Sequence, residues 1–292
     1  MNKQEAISIL KEHKQEHVIK RLEALGDDAA KKLISQVAMI DWKVVESIKD
    51  KAEDKGDAKK IEPLAAVEIN DIKKNKEKYT AKGVEAIKNG KVAAVLLAGG
   101  QGTRLGLDKP KGTLNVGVNK DLFLFGQLIH NLMDVVNQTG AWVPLYIMTS
   151  DKNNKDTVEF FEEHNYFGYD KDYVKFFIQS MVPSVDYNGK LYMESTDSLA
   201  MSPNGNGGWF LSLIAAGLDK DMQHKGIEYV NVFAVDNILQ RIADPAFIGA
   251  TILAGAECGS KVVRKCEPAE KVGVMCRVNG HPSIIEYYEM SE

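Results

Sequence analysis

Residues 97–106 read Leu97-Ala98-Gly99-Gly100-Gln101-Gly102-Thr103-Arg104-Leu105-Gly106, and Lys109-Pro110-Lys111-Gly112 follows. These residue types at this spacing suit phosphate chemistry. A glycine-rich turn can aim several backbone N–H groups into one concavity, and such a nest attracts phosphate oxygens. Arg104 and Lys111 place fixed positive charge beside it. The segment reads as a grip for a nucleoside triphosphate. Two common glycine fingerprints are excluded. A Walker loop ends in Gly-Lys-Ser/Thr, whereas Gly102 is followed here by Thr103-Arg104. The dinucleotide spacing counted from Gly100 and Gly102 needs glycine at 105, where this chain has Leu105. A plain strand-to-helix turn is the bland alternative, yet the glycines with their basic pair exceed what a turn needs.

A grip of this kind needs a strand to present it. Val92–Leu97, just upstream, is a short apolar run that reads as a buried strand. Val143–Thr149, Val174–Ile178 and Glu228–Val235 are strand-like as well, and Asp121–Val136, Thr157–His164 and Trp209–Asp219 are helix-like. Strands alternating with helices predict an α/β fold with a mostly parallel sheet and helices on both faces. Ligands of such sheets sit at the carboxyl ends of the strands, which is where the grip, Ser150-Asp151, Gln179 and Asp236 fall. After Asp236 the pattern changes to short strand candidates at Gly259–Lys265, Val272–Val278 and Ser283–Tyr288, with Asn279-Gly280 as a hairpin signal.

Residues 1 to about 50 read as short amphipathic helices. Ile7 and Leu10 share one face, and Val18, Leu22 and Leu25 share the next. Gly26 can end the second helix, Asp27 or Asp28 can cap a third, and Asp41 can cap the segment holding Val44, Val45 and Ile48. Residues 49–60 are charged and read as an exposed connector. The expected division is a helical subdomain with its connector at 1–88 and a catalytic domain at 89–292.

Composition bounds the function. The chain has 292 residues, 44% hydrophobic and 27% charged, ordinary values for a globular protein. A net charge of −4 argues against a nucleic-acid or membrane-surface partner held by bulk charge. No apolar run approaches the roughly 20 residues that span a bilayer. The polar start, Met1-Asn2-Lys3-Gln4-Glu5, has no signal-peptide core behind it. Cys258, Cys266 and Cys276 are odd in number and lack C-x-x-C spacing, which suits thiols in a reducing compartment. A cytoplasmic protein is expected. The 6 histidines show no metal-ligand spacing.

Several blocks in order carry a resemblance to a known family. Besides 97–112 they are Phe176-Phe177-Ile178-Gln179, Ser202-Pro203-Asn204-Gly205-Asn206-Gly207-Gly208, Val235-Asp236-Asn237, and Gly273-Val274-Met275-Cys276-Arg277 with Glu286-Tyr287. The chain resembles the eukaryotic-type UDP-N-acetylhexosamine pyrophosphorylases and related UDP-sugar pyrophosphorylases. The resemblance implies a Rossmann-like, glycosyltransferase-A-like nucleotidyltransferase with an N-terminal helical subdomain. It implies a Mg²⁺-dependent (or Mn²⁺-dependent) uridylyltransferase whose substrates are UTP and a sugar 1-phosphate, acting as a monomer or weak homodimer without nucleic acid or membrane.

The same resemblance implies roles residue by residue. Leu97, Ala98, Gly99, Gly100, Gln101, Gly102 and Thr103 line the triphosphate, and Arg104 stabilises charge on the leaving pyrophosphate. Lys111 neutralises the α-phosphate or the incoming sugar phosphate. Gln179 meets the uracil edge, since an amide offers both donor and acceptor. Gly205 approaches the uracil, Asn206 the sugar, and Gly207 lets the backbone come close. Asp236, with Asn237 beside it, binds Mg²⁺ or the ribose and phosphate region. Gly273 and Glu286 belong to the sugar pocket. From the residues alone, Gln179 also reads as a polar strand end, Asp236 as a helix cap ahead of Asn237-Ile238-Leu239, and Glu286 as a surface side chain.

The family continues beyond the point matching Glu292, so a fragment or a naturally short relative is expected, with only part of the sugar pocket. Three activities stay open on this reading: the N-acetylglucosamine 1-phosphate enzyme, a UDP-glucose or UDP-galactose type pyrophosphorylase, and a non-catalytic UTP- or UDP-sugar-binding protein.

Overall fold

The computed structural model describes residues 1–53, 60–100, 106 and 108–289. In chain order the helices are α1 (Lys3–Glu12), α2 (Glu16–Ala24), α3 (Asp27–Ala38), α4 (Trp42–Glu53), α5 (Ile69–Lys74), α6 (Lys76–Lys88), α7 (Leu124–Thr139), α8 (Asn154–Glu163), α9 (Trp209–Ala215), α10 (Leu218–His224) and α11 (Pro245–Leu253). The strands are β1 (Ile61–Pro63), β2 (Val92–Leu97), β3 (Leu145–Thr149), β4 (Val174–Ile178), β5 (Met181–Pro183), β6 (Met201–Pro203), β7 (Tyr229–Ala234), β8 (Val274–Val278) and β9 (His281–Ile285). Packing divides them into two compact units, residues 1–60 with 181–204 and residues 61–180 with 205–292. Among the described residues no helix is long and apolar enough to cross a membrane.

In the first unit, α1–α4 bury Ala6, Leu10, Val18, Leu22, Leu33, Val37 and Val45 against Leu191 and Leu199. An Asn2–Glu5 capping box starts α1. Gly26 is itself the N-cap of α3, with Asp27 and Asp28 in its first turn, so neither aspartate is the cap. Asp41 does accept from the Lys43 N–H at 3.0 Å at the start of α4. That helix runs on to Glu53, into the segment read as a connector. Two side-chain amides, the buried Gln15 and the half-buried Gln36, hold residues 181–204 onto these helices. Gln15 donates to the Gly189 carbonyl at 2.8 Å and accepts from the Leu191 N–H at 3.0 Å. Gln36 accepts from the Leu199 N–H at 2.8 Å.

The second unit is built on a parallel sheet of order β4-β3-β2-β7. Val92 to Leu96 and all of β3 are buried, which is why their sequences are unbroken apolar runs. On α7, Leu128, Ile129, Leu132, Val135 and Val136 form the buried stripe, and Gly140 in the left-handed region ends the helix. The helix expected at 209–219 is two helices, divided at Gly217, whose φ is +71°. The apolar helix α11 was not anticipated; it packs on α6 across Gly83 and Gly249, where a Cβ would overlap the Pro245 and Tyr79 carbonyls. A boundary near residue 88 and this division by packing are different partitions, because β1 pairs with β8 and α6 packs on α11.

The hairpin expected at Asn279-Gly280 is present: β8 and β9 pair antiparallel, Val278 faces His281, and both turn residues have positive φ. Gly259–Lys265 is not a strand. The third strand of that sheet is β1, from a part of the chain too short and too polar to have been read as one.

Candidate active site

The sheet has one topological switch. The chain runs from β2 outward to β3 and β4, then returns to place β7 on the other side of β2. In open α/β sheets the crevice outside the carboxyl ends of the strands at such a switch is where ligands bind. Leu97, Ala98, Gly99 and Gly100 leave β2 there, and Asp236 follows β7. The Ala98 N–H extends the ladder by one bond to the Met148 carbonyl at 2.8 Å.

Gly99, Gln179 and Gly205 come together. Gln179 is 5% exposed, and its Nε2 donates to the Gly205 carbonyl at 2.7 Å. A Cβ on Gly99 would lie 2.7 Å from Gln179 Oε1. Gly99 is outside the left-handed region, so close approach, not backbone freedom, demands glycine there. Gly205 differs, with φ +78° and ψ 178°, a conformation open essentially to glycine alone. The Gln179–Gly205 bond also closes the base of the excursion that residues 181–204 make from this unit. A short turn, Asn206–Gly208, then leads into α9, with Asn206 and Gly207 exposed.

Lys111 and Asp236 form a second group. Lys111 Nζ lies 2.7 Å from Asp236 Oδ1, with side-chain exposures of 27% and 63%. Lys111 opens a single helical turn seated against the buried Phe125 of α7, and Gly112 is what lets it sit, since a Cβ there would fall 2.2 Å from the ring. Asp236 does not cap a helix: the next residues form turns, and α11 begins at Pro245 with Asp244 as its cap. Asn131 of α7 fixes those turns by donating to the Ile238 carbonyl at 2.8 Å and the Gln240 carbonyl at 3.2 Å. Asn237 is exposed beside the pair.

Gly273 and Glu286 meet across the β8–β9 hairpin, where a Cβ on Gly273 would be 3.1 Å from Glu286 Oε1. Glu286 is half-buried. Gln101, Gly102, Thr103 and Arg104 lie outside the described residues. Sequence reasoning passed over Asn131 and Asn153, both of which hold site loops through backbone carbonyls. An asparagine inside or just ahead of a helix was the available signal, and by itself it is ambiguous with a cap.

Behind the sheet edge, Asp221 of α10 binds three partners: the Tyr146 hydroxyl at 2.6 Å, Lys175 Nζ at 2.6 Å and Lys225 Nζ at 2.6 Å. Burial would raise its carboxyl, but the two ammonium groups and the hydroxyl outweigh burial and hold it well below the ordinary carboxylate range. Burial, with the Asp221 bond, pushes the Tyr146 hydroxyl far up, so it stays a proton donor. The cluster ties β3, β4 and α10 together beneath the site.

The arrangement can do a definite kind of chemistry. A cation and an exposed carboxylate face each other at the carboxyl edge of a parallel sheet, beside a glycine turn. That combination suits a polyphosphate chain together with a hard divalent ion, which takes one or two carboxylates plus phosphate oxygens. Among the described residues no three acidic, histidine or cysteine side chains cluster, so no cage for a tightly held ion is built there.

Comparison with known proteins places the whole chain among sugar-nucleotide pyrophosphorylase relatives. The chain is 44% identical over 220 residues to the mouse "UDP-N-acetylhexosamine pyrophosphorylase-like protein 1", covering 73% of this chain and 43% of that protein. It is 41% identical over 227 residues to the Saccharomyces cerevisiae "UDP-N-acetylglucosamine pyrophosphorylase", covering 76% of this chain and 47% of that protein. It thus spans less than half the length of these curated relatives. Among solved structures, the Trypanosoma brucei uridine diphosphate N-acetylglucosamine pyrophosphorylase in complex with inhibitor superposes with a TM-score of 0.84 at 30% identity, over 99% of this chain and 62% of that one. Residues 15–292 match the model of the UTP–glucose-1-phosphate uridylyltransferase family, and the chain belongs to that family.

Proposed function

We propose that this chain carries out uridylyl transfer, joining UTP and N-acetylglucosamine 1-phosphate to give UDP-N-acetylglucosamine and pyrophosphate. The observation that carries the reading is the Lys111–Asp236 pair, 2.7 Å apart beside the β2 exit loop at the switch point. A sugar-phosphate oxygen attacks the α-phosphorus, the α–β bridging bond breaks, and pyrophosphate leaves in line. The reactants bring their own nucleophile, so the protein positions them and neutralises charge.

In this reading Gly99 and Gly100 lie along the triphosphate, with Arg104 on the leaving pyrophosphate. Lys111 turns from Asp236 to the α-phosphate or the sugar phosphate. Gln179 and Gly205, already joined, form the uracil end, and Asn206, Gly273 and Glu286 face the sugar. Asp236, being 63% exposed, suits a magnesium ion that keeps waters and shares phosphate oxygens. When bound, that ion neutralises phosphate charge and orients the oxygens. We place the protein in the cytosol as a monomer or weak homodimer; the exposed thiols of Cys258 and Cys266 suit a reducing compartment.

The test is pyrophosphate release by the 292-residue chain with UTP, Mg²⁺ and N-acetylglucosamine 1-phosphate, against a Lys111→Ala control. Release above the control supports the proposal. Faster release with glucose 1-phosphate or galactose 1-phosphate reassigns the sugar. No release, with UTP binding detected calorimetrically, replaces the proposal with a nucleotide-binding function.

A further inference from the structure

We propose that Asn153 is a positioning residue for the phosphate grip, acting through the backbone at the exit of β2. Its side chain is fully buried, at 0% exposure. Asn153 stands at the N-cap of α8, a position asparagine favours because its oxygen satisfies a helix N–H. Here the side chain makes no cap bond to α8. It is turned away from its own helix and spent elsewhere.

Every hydrogen-bonding atom of the amide is accounted for. Oδ1 accepts from the Ser150 N–H at 2.7 Å, which closes the turn after β3. Nδ2 donates to the Ala98 carbonyl at 3.0 Å and to the Gly100 carbonyl at 3.3 Å. One NH₂ group thus holds two carbonyls on either side of Gly99. In a planar trans peptide the C=O and N–H point in opposite directions. Holding the Ala98 carbonyl toward α8 therefore sends the Gly99 N–H the other way, as an anion-binding loop requires. Carboxylates and hydroxyls cannot substitute fully: only a primary amide offers two donors and an acceptor on so short a stem.

The proposal rests on reading this loop as a triphosphate grip, so the experiment separates the two. The calorimetric affinities of the full chain for UTP and for UMP, both with Mg²⁺, are compared with those of Asn153→Asp. Aspartate keeps an oxygen for the Ser150 N–H, is itself a good N-cap, and loses both donations. UTP affinity is expected to fall about 30-fold, the effect of losing hydrogen bonds that orient a charge-binding group, and UMP affinity by less than about threefold. A purely structural role would weaken both nucleotides alike or leave both unchanged, and either result overturns the proposal. Asn153→Ser, which is uncharged and caps helices well but cannot reach both carbonyls, must show the same split between UTP and UMP, because the aspartate's own charge repels UTP more than UMP. Unchanged UTP binding in the folded serine variant overturns the proposal too. Wild-type protein that binds no UTP overturns the grip reading itself, and the role of Asn153 with it.

Discussion

Replacing Gly99 by alanine puts a single methyl group where the structure has no room for one. The added Cβ would lie 2.7 Å from Gln179 Oε1, about 0.7 Å inside ordinary van der Waals contact. The backbone at Gly99 is outside the left-handed region, so alanine brings no conformational strain, and the steric effect stands alone. A free glutamine would swing away at little cost. Gln179 is 5% exposed and its Nε2 is held by the Gly205 carbonyl at 2.7 Å, so yielding to the methyl breaks that bond. Overpacking costs about 1–3 kcal/mol and the lost bond about 1 kcal/mol. A total near 2–4 kcal/mol lowers the melting temperature by about 5–10 °C for a domain of this size. The assay is thermal denaturation of Gly99→Ala, Gln179→Ala and the double variant. Removing Gln179 removes the clash, so the double variant should lose much less than the sum of the singles. Strict additivity would refute the contact argument.

Lys111→Ala should leave the melting temperature almost unchanged, since an exposed ion pair contributes about 0–1 kcal/mol, while pyrophosphate release falls more than about tenfold; parallel calorimetry and turnover measurements check the split. The depressed Asp221 carboxyl stabilises the fold above its unfolded pKa near 4, and that contribution drains away as the pH falls below it. Asp221→Asn should therefore flatten the drop in melting temperature between about pH 4 and pH 2, and lower stability at neutral pH by about 2 kcal/mol. Gln15→Ala leaves the Gly189 carbonyl and Leu191 N–H without their buried partner. It should cost about 2–3 kcal/mol in the first unit and speed proteolysis within 181–204, with a wild-type digestion rate counting against the anchor.

The sequence by itself determined the parallel sheet. Val92–Leu97 and Val143–Thr149 are apolar without alternation because both of their faces are covered, and that pattern is local. The Asn279-Gly280 hairpin was legible for the same kind of reason: two adjacent residues must both take positive φ, and few pairs do so readily. The glycine loop and Lys111 could be singled out from residue types. Their partners could not. Lys111 meets Asp236 across 125 positions of chain, and Gln179 reaches both Gly99 and Gly205: the order β4-β3-β2-β7 brings the ends of β4, β2 and β7 to one edge, and the turns that carry Lys111 and Gly205 are delivered there by the fold.

Tertiary packing also overruled local pattern. Gly259–Lys265 has strand-like residues but no partner strand, while the short β1 gains its place from the free edge of β8. Residues 181–204 carry no helical signal, yet they belong with the N-terminal helices because Gln15 and Gln36 supply the hydrogen bonds their backbone needs. Asn153 is the clearest case. A helix N-cap is what its position announces, and only the fold, by bringing the β2 exit within 3.0 Å, turned its amide to two carbonyls. Periodicity and turn chemistry are written in neighbouring residues, whereas a side chain's choice among competing hydrogen-bond partners depends on which distant backbone the fold delivers to it.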